Sequence, residues 1–216
     1  MKTYEHFLDG VMPYTPGCPL PMAFNAIRET VIELCEKTLL LQRDHDPVDV
    51  IANIVDYDFD TPTGYRVFKI MKAWYKDTEL VPTAPDDILD PALYNQNIPG
   101  VTISKDAPRI ITQKDDVTFS VLPVPKDTVR GAITMRVALK PTRTSTSIED
   151  FIFEDYAETV YAGARFRLLV VPAKPYTNPE LALAFQNQYI GGMNQARQRS
   201  SRGFVRSNTS VQLRRI

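Results

Sequence analysis

SIEDFIFEDYAETVYAGARFRLLVV, residues 147–171, carries the strongest fold signal in this chain of 216 residues. Ser147 followed by Asp150 has the form of a helix N-cap with an acid at the third position. No proline occurs before Pro172, and apolar residues recur at helical spacing: Ile152, Tyr156, Val160, Ala164, Leu168 and Val171. This pattern predicts one helix over about 148–171 with one buried face.

A second helix is predicted directly after the first. Pro172 and Pro175 stop the first helix, and Asn178-Pro179-Glu180 provides an N-cap, a proline at the first helical position and an early acid. The helical steps continue through Leu181, Phe185, Gln188, Gly192 and Gln195. Together the two segments predict a helical hairpin over residues 147–199.

Three glycines, Gly163, Gly191 and Gly192, lie inside these predicted helices. Each costs about 1 kcal/mol relative to alanine in a helix. The expected compensation is close packing against another backbone, either within the chain or between subunits.

The chain after Ala196 differs from the rest in its charge composition, and we predict an extended C-terminal arm over residues 200–216. No acid occurs after Glu180, whereas six arginines occupy the last twenty residues: Arg197, Arg199, Arg202, Arg206, Arg214 and Arg215. Fully extended from Ser200, the arm would reach roughly 50 Å at about 3.3 Å per residue. Such a segment has no core of its own and suits ordering on a partner.

Charge is distributed unevenly along the chain. All 26 acids lie in residues 1–180, which carry a net charge of −7, while residues 181–216 carry +6. An acidic body with a basic arm fits either nucleic-acid binding or an arm laid on the acidic body of another copy or partner.

The sequence lacks a signal-peptide pattern and an apolar run of about 20 residues, so we expect neither export by that route nor a membrane span. Cys18 and Cys35 are expected to be reduced and assembled in a cytoplasm.

The first part of the chain predicts a lead-in followed by one helix. Residues 1–19 contain three prolines and are expected to be extended or turning. A helix over about 21–42 is indicated by one apolar face, formed by Ala23, Ile27, Val31, Leu34, Thr38 and Leu41. The polar segment Arg43 to Pro47 predicts a turn, and the lead-in with this helix spans residues 1–46.

The middle of the chain, residues 47–146, predicts an inserted antiparallel β domain. Strands are indicated at 51–59, 65–75, 109–112, 117–121 and 133–140. Apolar residues on both faces of 65–75 predict a strand covered on both sides for part of its length. The last two strands are predicted to pair with each other across the loop 123–131. Proline-rich residues 82–108 predict a surface insertion with at most one helical turn near 86–94.

These elements predict an α+β chain. Its helical unit combines the N-terminal helix with the C-terminal helical hairpin, the β domain is inserted between them, and the arm follows.

Groups for catalysis or metal binding are scarce, so we predict no catalytic residues, no metal site and no cofactor. The only histidines, His6 and His45, do not have metal-ligand spacing. Two alternatives stay open. Asp44, His45 and Asp46 could form a base or a divalent site, and Asp56, Asp58 and Asp60 share a strand face that could bind Ca²⁺ through oxygen.

Several local features, in this order and spacing, resemble the head-to-tail adaptor (connector) proteins of tailed bacteriophages. They are Pro16-Gly17-Cys18-Pro19, Lys140-Pro141-Thr142, Ala162-Gly163-Ala164 with Leu168-Leu169, Pro172, Pro175-Tyr176, Asn178-Pro179, and Ala182 to Phe185. Together they span most of the chain.

The resemblance implies a structural virion protein without catalytic residues, assembled in the host cytoplasm. Such adaptors form a ring, typically of twelve copies, beneath the portal protein; DNA passes through the ring without sequence-specific binding, and a tail or nozzle protein lies on the opposite side. The C-terminal arm is then implied to bind the portal through Arg197, Arg199, Arg202, Phe204, Val205, Arg206, Val211, Leu213, Arg214, Arg215 and Ile216. A nucleic-acid-binding module that uses the arm is the alternative, and a small enzyme with an unrecognised site is third.

Overall fold

The computed structural model describes residues 1–88 and 105–202. The fold is mixed α+β and divides into two compact units. A helical unit comprises Met1–Leu40 and the chain from Ser147 onward, and a β-rich unit comprises Leu41–Thr146.

The helical unit contains three long helices and a short N-terminal helical segment. Its helices are α1 (Leu8–Val11), α2 (Leu20–Thr38), α3 (Asp150–Leu169) and α4 (Pro179–Arg202), with 3-10 turns at Tyr4–Phe7 and Met12–Tyr14. Strand β1 (Lys2–Thr3) pairs antiparallel with β11 (Ser147–Ile148). Between α3 and α4, the Asn178 side chain accepts a hydrogen bond from the Leu181 N–H at 3.0 Å, as expected of an N-cap.

Ser147 does not cap α3, which corrects the prediction made from its spacing to Asp150. Ser147 pairs with Thr3 in the β1–β11 ladder. The N-cap position is Glu149, without a side-chain capping bond, and the helix ends at Leu169 instead of residue 171. Pairing with a distant strand therefore replaces the local capping contact.

The lead-in prediction for residues 1–19 was also wrong, because most of this segment is helical. Tyr4, Phe7 and Val11 are almost fully buried there. Their spacing of three and four residues is the helical signal, which three prolines after residue 12 obscured.

Helix α2 ends earlier than predicted. Its last residue is Thr38, and Leu39 adopts the left-handed conformation with φ 53° while its N–H bonds to the Cys35 carbonyl. The chain then enters β2 (Gln42–Val50), so the predicted turn at 43–47 is wrong. Because β2 belongs to the sheet, the β-rich unit begins before residue 47.

The β-rich unit is built on a curled seven-stranded sheet in the order β2-β10-β4-β5-β7-β8-β3. The other strands are β3 (Asp56–Asp58), β4 (Tyr65–Tyr75), β5 (Thr78–Pro82), β6 (Lys105–Asp106), β7 (Ile110–Gln113), β8 (Thr118–Leu122), β9 (Val124–Pro125) and β10 (Val129–Pro141). Within this sheet, β5 and β7 pair in parallel, and every other pair of neighbouring strands is antiparallel. A separate parallel pair joins β6 to β9.

Strand β10 is the centre of the sheet, and its partners differ from the prediction. Met135 lies opposite His45 of β2 on one side and Ala73 of β4 on the other. The predicted β8–β10 hairpin is therefore absent, and β8 instead pairs with β7 and β3. Alternating burial identifies which face of a strand is covered, but it does not select the neighbouring strand.

The burial of strand β4 does not follow a simple two-residue alternation, because its register against β10 shifts twice. Val67, Ile70 and Ala73 are buried although they are spaced three residues apart, whereas Phe68 is 37% exposed.

A glutamine side chain of β7 binds the backbone of β4, a strand that is not its neighbour in the order of the sheet. The Ile70 N–H donates to Gln113 Oε1 at 3.2 Å, while Gln113 Nε2 donates to the carbonyls of Val67 at 3.3 Å and Asp115 at 2.9 Å. This amide therefore satisfies backbone donor and acceptor groups of β4 at a part-buried position.

We expect Gln113→Leu to destabilise the β-rich unit by about 1–3 kcal/mol, because it leaves backbone groups of β4 without partners. Trp74, the only tryptophan in the chain, lies in β4, so its fluorescence during urea unfolding measures the change. Arg66→Leu at an exposed position of β4 is the matched control and should change the unfolding free energy little. Equal midpoints for all three proteins would show that Gln113 is dispensable.

The predicted insertion 82–108 is described only at its ends. A 3-10 turn occupies Pro85–Asp87, and residues 89–104 lie outside the described part of the chain.

Candidate assembly site in the helical unit

The α3–α4 contact depends on two glycines. A Cβ atom at Gly163 would collide with Thr30 Cγ2 of α2 and would lie 2.9 Å from the Tyr189 ring of α4. At Gly192 it would collide with the Thr159 side chain of α3. These two positions therefore have no room for a side chain within the folded unit.

Gly191 differs from its neighbour. No atom of the described residues lies within 4 Å of a Cβ added there. Close packing at Gly191 within one chain is therefore not observed, and a contact between subunits stays a prediction.

A buried arginine joins the N-terminal helical turns to α3. Arg165 is 8% exposed, and its Nε donates to the Gly10 carbonyl at 2.7 Å. Its guanidinium carbon lies 4.1 Å from the ring centre of Tyr14, 4.9 Å from Phe185 and 5.6 Å from Tyr161. Burial lowers the pKa of Arg165, and the three ring faces partly replace the lost hydration of the cation.

Sequence reasoning missed Arg165. The available signal was a pair of arginines, Arg165 and Arg167, inside the otherwise apolar run from Ala162 to Leu169, where solvated arginines would not be expected.

We expect Arg165→Lys to lower the free energy of unfolding by about 1–2 kcal/mol, because an ammonium cannot both stack among three rings and keep the bond to Gly10. Circular dichroism at the helical minimum during urea unfolding measures this change. Arg197→Lys, at an exposed position of α4, is the matched control and should leave the free energy of unfolding unchanged. Similar losses in both variants would contradict a special role for the buried position.

A second polar cluster holds the three long helices together. Arg167 of α3 pairs with Glu33 of α2 at 2.6 Å, and the Tyr189 hydroxyl of α4 donates to the same Glu33 carboxylate at 3.2 Å. Burial, followed by the charge of Glu33, raises the pKa of Tyr189. Tyr189 therefore stays protonated as a donor in this cluster.

The base of the predicted arm continues α4. Arg197 and Arg199 are exposed on this helix, and α4 ends at Arg202, so the helix includes residues 200–202, which were predicted to belong to the arm. The Ser200 hydroxyl donates to the Leu39 carbonyl at 2.7 Å, which ties this turn to the end of α2. The other predicted portal-binding residues lie outside the described part of the chain: Phe204, Val205, Arg206, Val211, Leu213, Arg214, Arg215 and Ile216.

The histidine and aspartate side chains considered as a base or as metal ligands mostly make hydrogen bonds within the protein. His45 Nε2 accepts from the Asp60 N–H at 2.9 Å, and Nδ1 lies 2.6 Å from the Asp46 carbonyl, so both imidazole nitrogens lie within hydrogen-bonding distance of backbone groups. Asp56 accepts from Lys114 at 2.7 Å and from Ser120 at 2.6 Å. Within residues 1–88 and 105–202, no group of three or more His, Cys, Asp or Glu side chains could hold a metal ion.

The two thiols are buried. Burial, together with the charge of Glu36, raises the pKa of Cys35 to about 12. Cys35 is therefore a packed, protonated side chain instead of a nucleophile.

No helix in the described ranges is both long and apolar enough to cross a bilayer.

The sequence matches the SU10 adaptor protein family over residues 3–213. Because this match covers nearly the whole chain, the protein belongs to that family of phage structural adaptors, which confirms the resemblance to head-to-tail adaptors. No curated protein matches the chain. The family implies interaction with portal and tail proteins and a place in the virion.

Proposed function

We propose that this protein is the head-to-tail adaptor that forms a ring of copies, typically twelve, below the portal and connects the capsid to the tail. The observation that carries the proposal is the family match over residues 3–213. The adaptor role is structural, and we assign it no catalytic step.

The distribution of charge supports separate roles for the body and the arm. Residues 1–180 carry −7 and residues 181–216 carry +6. On α3, the side chains of Glu154, Asp155 and Glu158 are exposed. An acidic body suits the wall of a channel through which DNA passes without adhering, because like charges repel.

The arm is proposed to attach the ring to the portal. Its arginines can pair with carboxylates bidentately through the planar guanidinium, and Phe204, Val205, Val211, Leu213 and Ile216 supply apolar anchors. A tail or nozzle protein then binds the opposite side of the ring.

Electron microscopy of the purified chain mixed with the portal protein of the same phage tests this proposal. A closed ring of adaptor copies on one face of the portal is the expected result. Adaptor that stays separate from the portal at every ratio tested would refute the proposed function.

A nucleic-acid-binding module is the second candidate, since six arginines and no acids occur in residues 197–216. In that case duplex affinity would fall steeply with salt, with a logarithmic slope of about −0.9 for each phosphate contacted. We expect no measurable duplex binding at physiological salt by the full chain, as measured by fluorescence anisotropy. Strong, salt-dependent binding that disappears when the six arginines are replaced by glutamine would favour this second candidate.

A further inference from the structure

The exposed side of α4 lacks charged residues over most of its length. From Leu181 to Ala196 the sequence contains no Asp, Glu, Lys or Arg. Leu183 is 59% exposed and Ile190 is 44% exposed on this side. We call the following exposed positions the outer face of α4: Leu183, Ala184, Asn187, Gln188, Ile190, Gly191, Asn194 and Gln195.

The other two long helices expose charged side chains. Lys37 is exposed on α2, and Glu154, Asp155 and Glu158 are exposed on α3. A neutral face of about four turns is therefore specific to α4 among the long helices of the described chain. It fits a neutral protein surface and does not fit DNA phosphates or a strongly charged partner.

Gly191 gives an independent sign that another backbone approaches this face. Gly163 and Gly192 are each explained by a side chain that occupies the space of a Cβ. Gly191 faces open space, although a glycine in the middle of a helix lowers its stability relative to alanine. A contact from outside the chain would account for the glycine.

The outer face repeats every seven residues. Leu183 is followed by Ile190, Ala184 by Gly191, Asn187 by Asn194, and Gln188 by Gln195. A seven-residue repeat on one face is the pattern that a second helix packed lengthwise requires.

The repeat also places large and small residues in separate rows. At 3.6 residues per turn, adjacent positions lie about 100° apart around the helix. Leu183 and Ile190 therefore form a row along one edge of the outer face, and Ala184 and Gly191 form a second row about 100° away, with Gln188 and Gln195 beyond it on the far edge. The row of large residues on one α4 complements the row of small residues on an identical helix, and contacts between two different patches of the same chain generate rings when the rotation closes.

We propose that the outer face of α4 packs lengthwise on α4 of a second copy, with Leu183 and Ile190 of one copy seated against Ala184 and Gly191 of the next. This inference rests on the proposed function, because it names the surface through which ring copies bind each other. Neither helix brings a charge into the contact, so no buried charge is left unpaired.

The test compares assembly and monomer stability in the same variant, Gly191→Leu. The added side chain has open space in one chain and replaces a glycine in a helix, so the melting temperature of the monomer should stay equal or rise. Between copies it would fill the gap that receives Leu183 or Ile190. We expect association between copies to weaken by at least about tenfold, measured by sedimentation of the full chain and by native mass spectrometry of the portal complex.

A second variant and a control keep the result unambiguous. Leu183→Glu combined with Ile190→Glu introduces like charges on the same face and should also block rings. Val170→Glu replaces an apolar residue that is 51% exposed in the same unit but outside α4, and it should assemble normally.

The outcomes separate this inference from the proposed function. If wild type forms rings and both α4 variants form them equally well, the α4 contact is refuted while the adaptor role stands. If Gly191→Leu lowers the melting temperature of the monomer, Gly191 is explained within the chain and the inference also fails. If wild type forms no ring, alone or with the portal, the proposed function itself fails.

Discussion

A chain that lacks Gly203–Ile216 is expected to fold normally and to lose all co-assembly with the portal protein. Among the side chains of α4 that the structure describes, the last strongly buried one is Ala196, and the Ser200 contact with Leu39 is kept because the helix to Arg202 stays intact. Melting temperature and helix content should therefore change little. Attachment should disappear, since the deleted segment contains three arginines and all the proposed apolar anchors.

Variants of the full-length arm distinguish charge from geometry. Replacing Arg206, Arg214 and Arg215 with lysine keeps the charge but removes the planar fork, so we expect weakened attachment. Replacing the same residues with glutamine should weaken it further. Co-sedimentation with the portal ring measures all four proteins.

Two results would contradict this account of the arm. A truncated chain that joins the portal ring with normal affinity would show that the arm is not the attachment device. A truncated chain that fails to fold would show that the segment belongs to the core of the helical unit.

Gly163→Leu is expected to destabilise the helical unit by about 3 kcal/mol, the upper part of the usual range for overpacking. The first atom of any side chain at this position would meet Thr30 of α2 and the Tyr189 ring of α4. Tyr189 cannot move freely, because its hydroxyl donates to Glu33, which also pairs with Arg167. The three helices would therefore have to separate.

Two optical signals make this test specific. Circular dichroism follows the helices, while the fluorescence of Trp74 follows the β-rich unit. Gly191→Ala is the matched control, since its added Cβ meets nothing in the chain, and it should stabilise by up to about 1 kcal/mol. Unchanged unfolding of Gly163→Leu would show that the helices accommodate the side chain, which the geometry does not allow.

The sequence predicted local structure correctly where the deciding residues lie within the segment itself. The helical hairpin follows from two apolar faces separated by Pro172, Pro175 and the Asn178 cap, and the strand Tyr65–Tyr75 has the predicted bounds. The basic composition after Ala196 is likewise a property of sequence alone. In each case, the periodicity of side chains or a single capping residue reports the local conformation.

Only the tertiary structure decided the strand pairings and side-chain contacts that involve residues far apart in the chain. Residues 43–47 look like a polar turn locally, yet they lie in strand β2, which pairs with β10. Ser147 looks like a helix cap, yet it pairs with Thr3. Arg165 and Gln113 acquire their roles only when folding brings the Gly10 carbonyl and the Ile70 N–H within hydrogen-bonding distance. The sequence therefore determines which faces must be buried, whereas long-range pairing of backbone and polar groups determines what covers them, because local spacing carries no information about residues more than a few turns away.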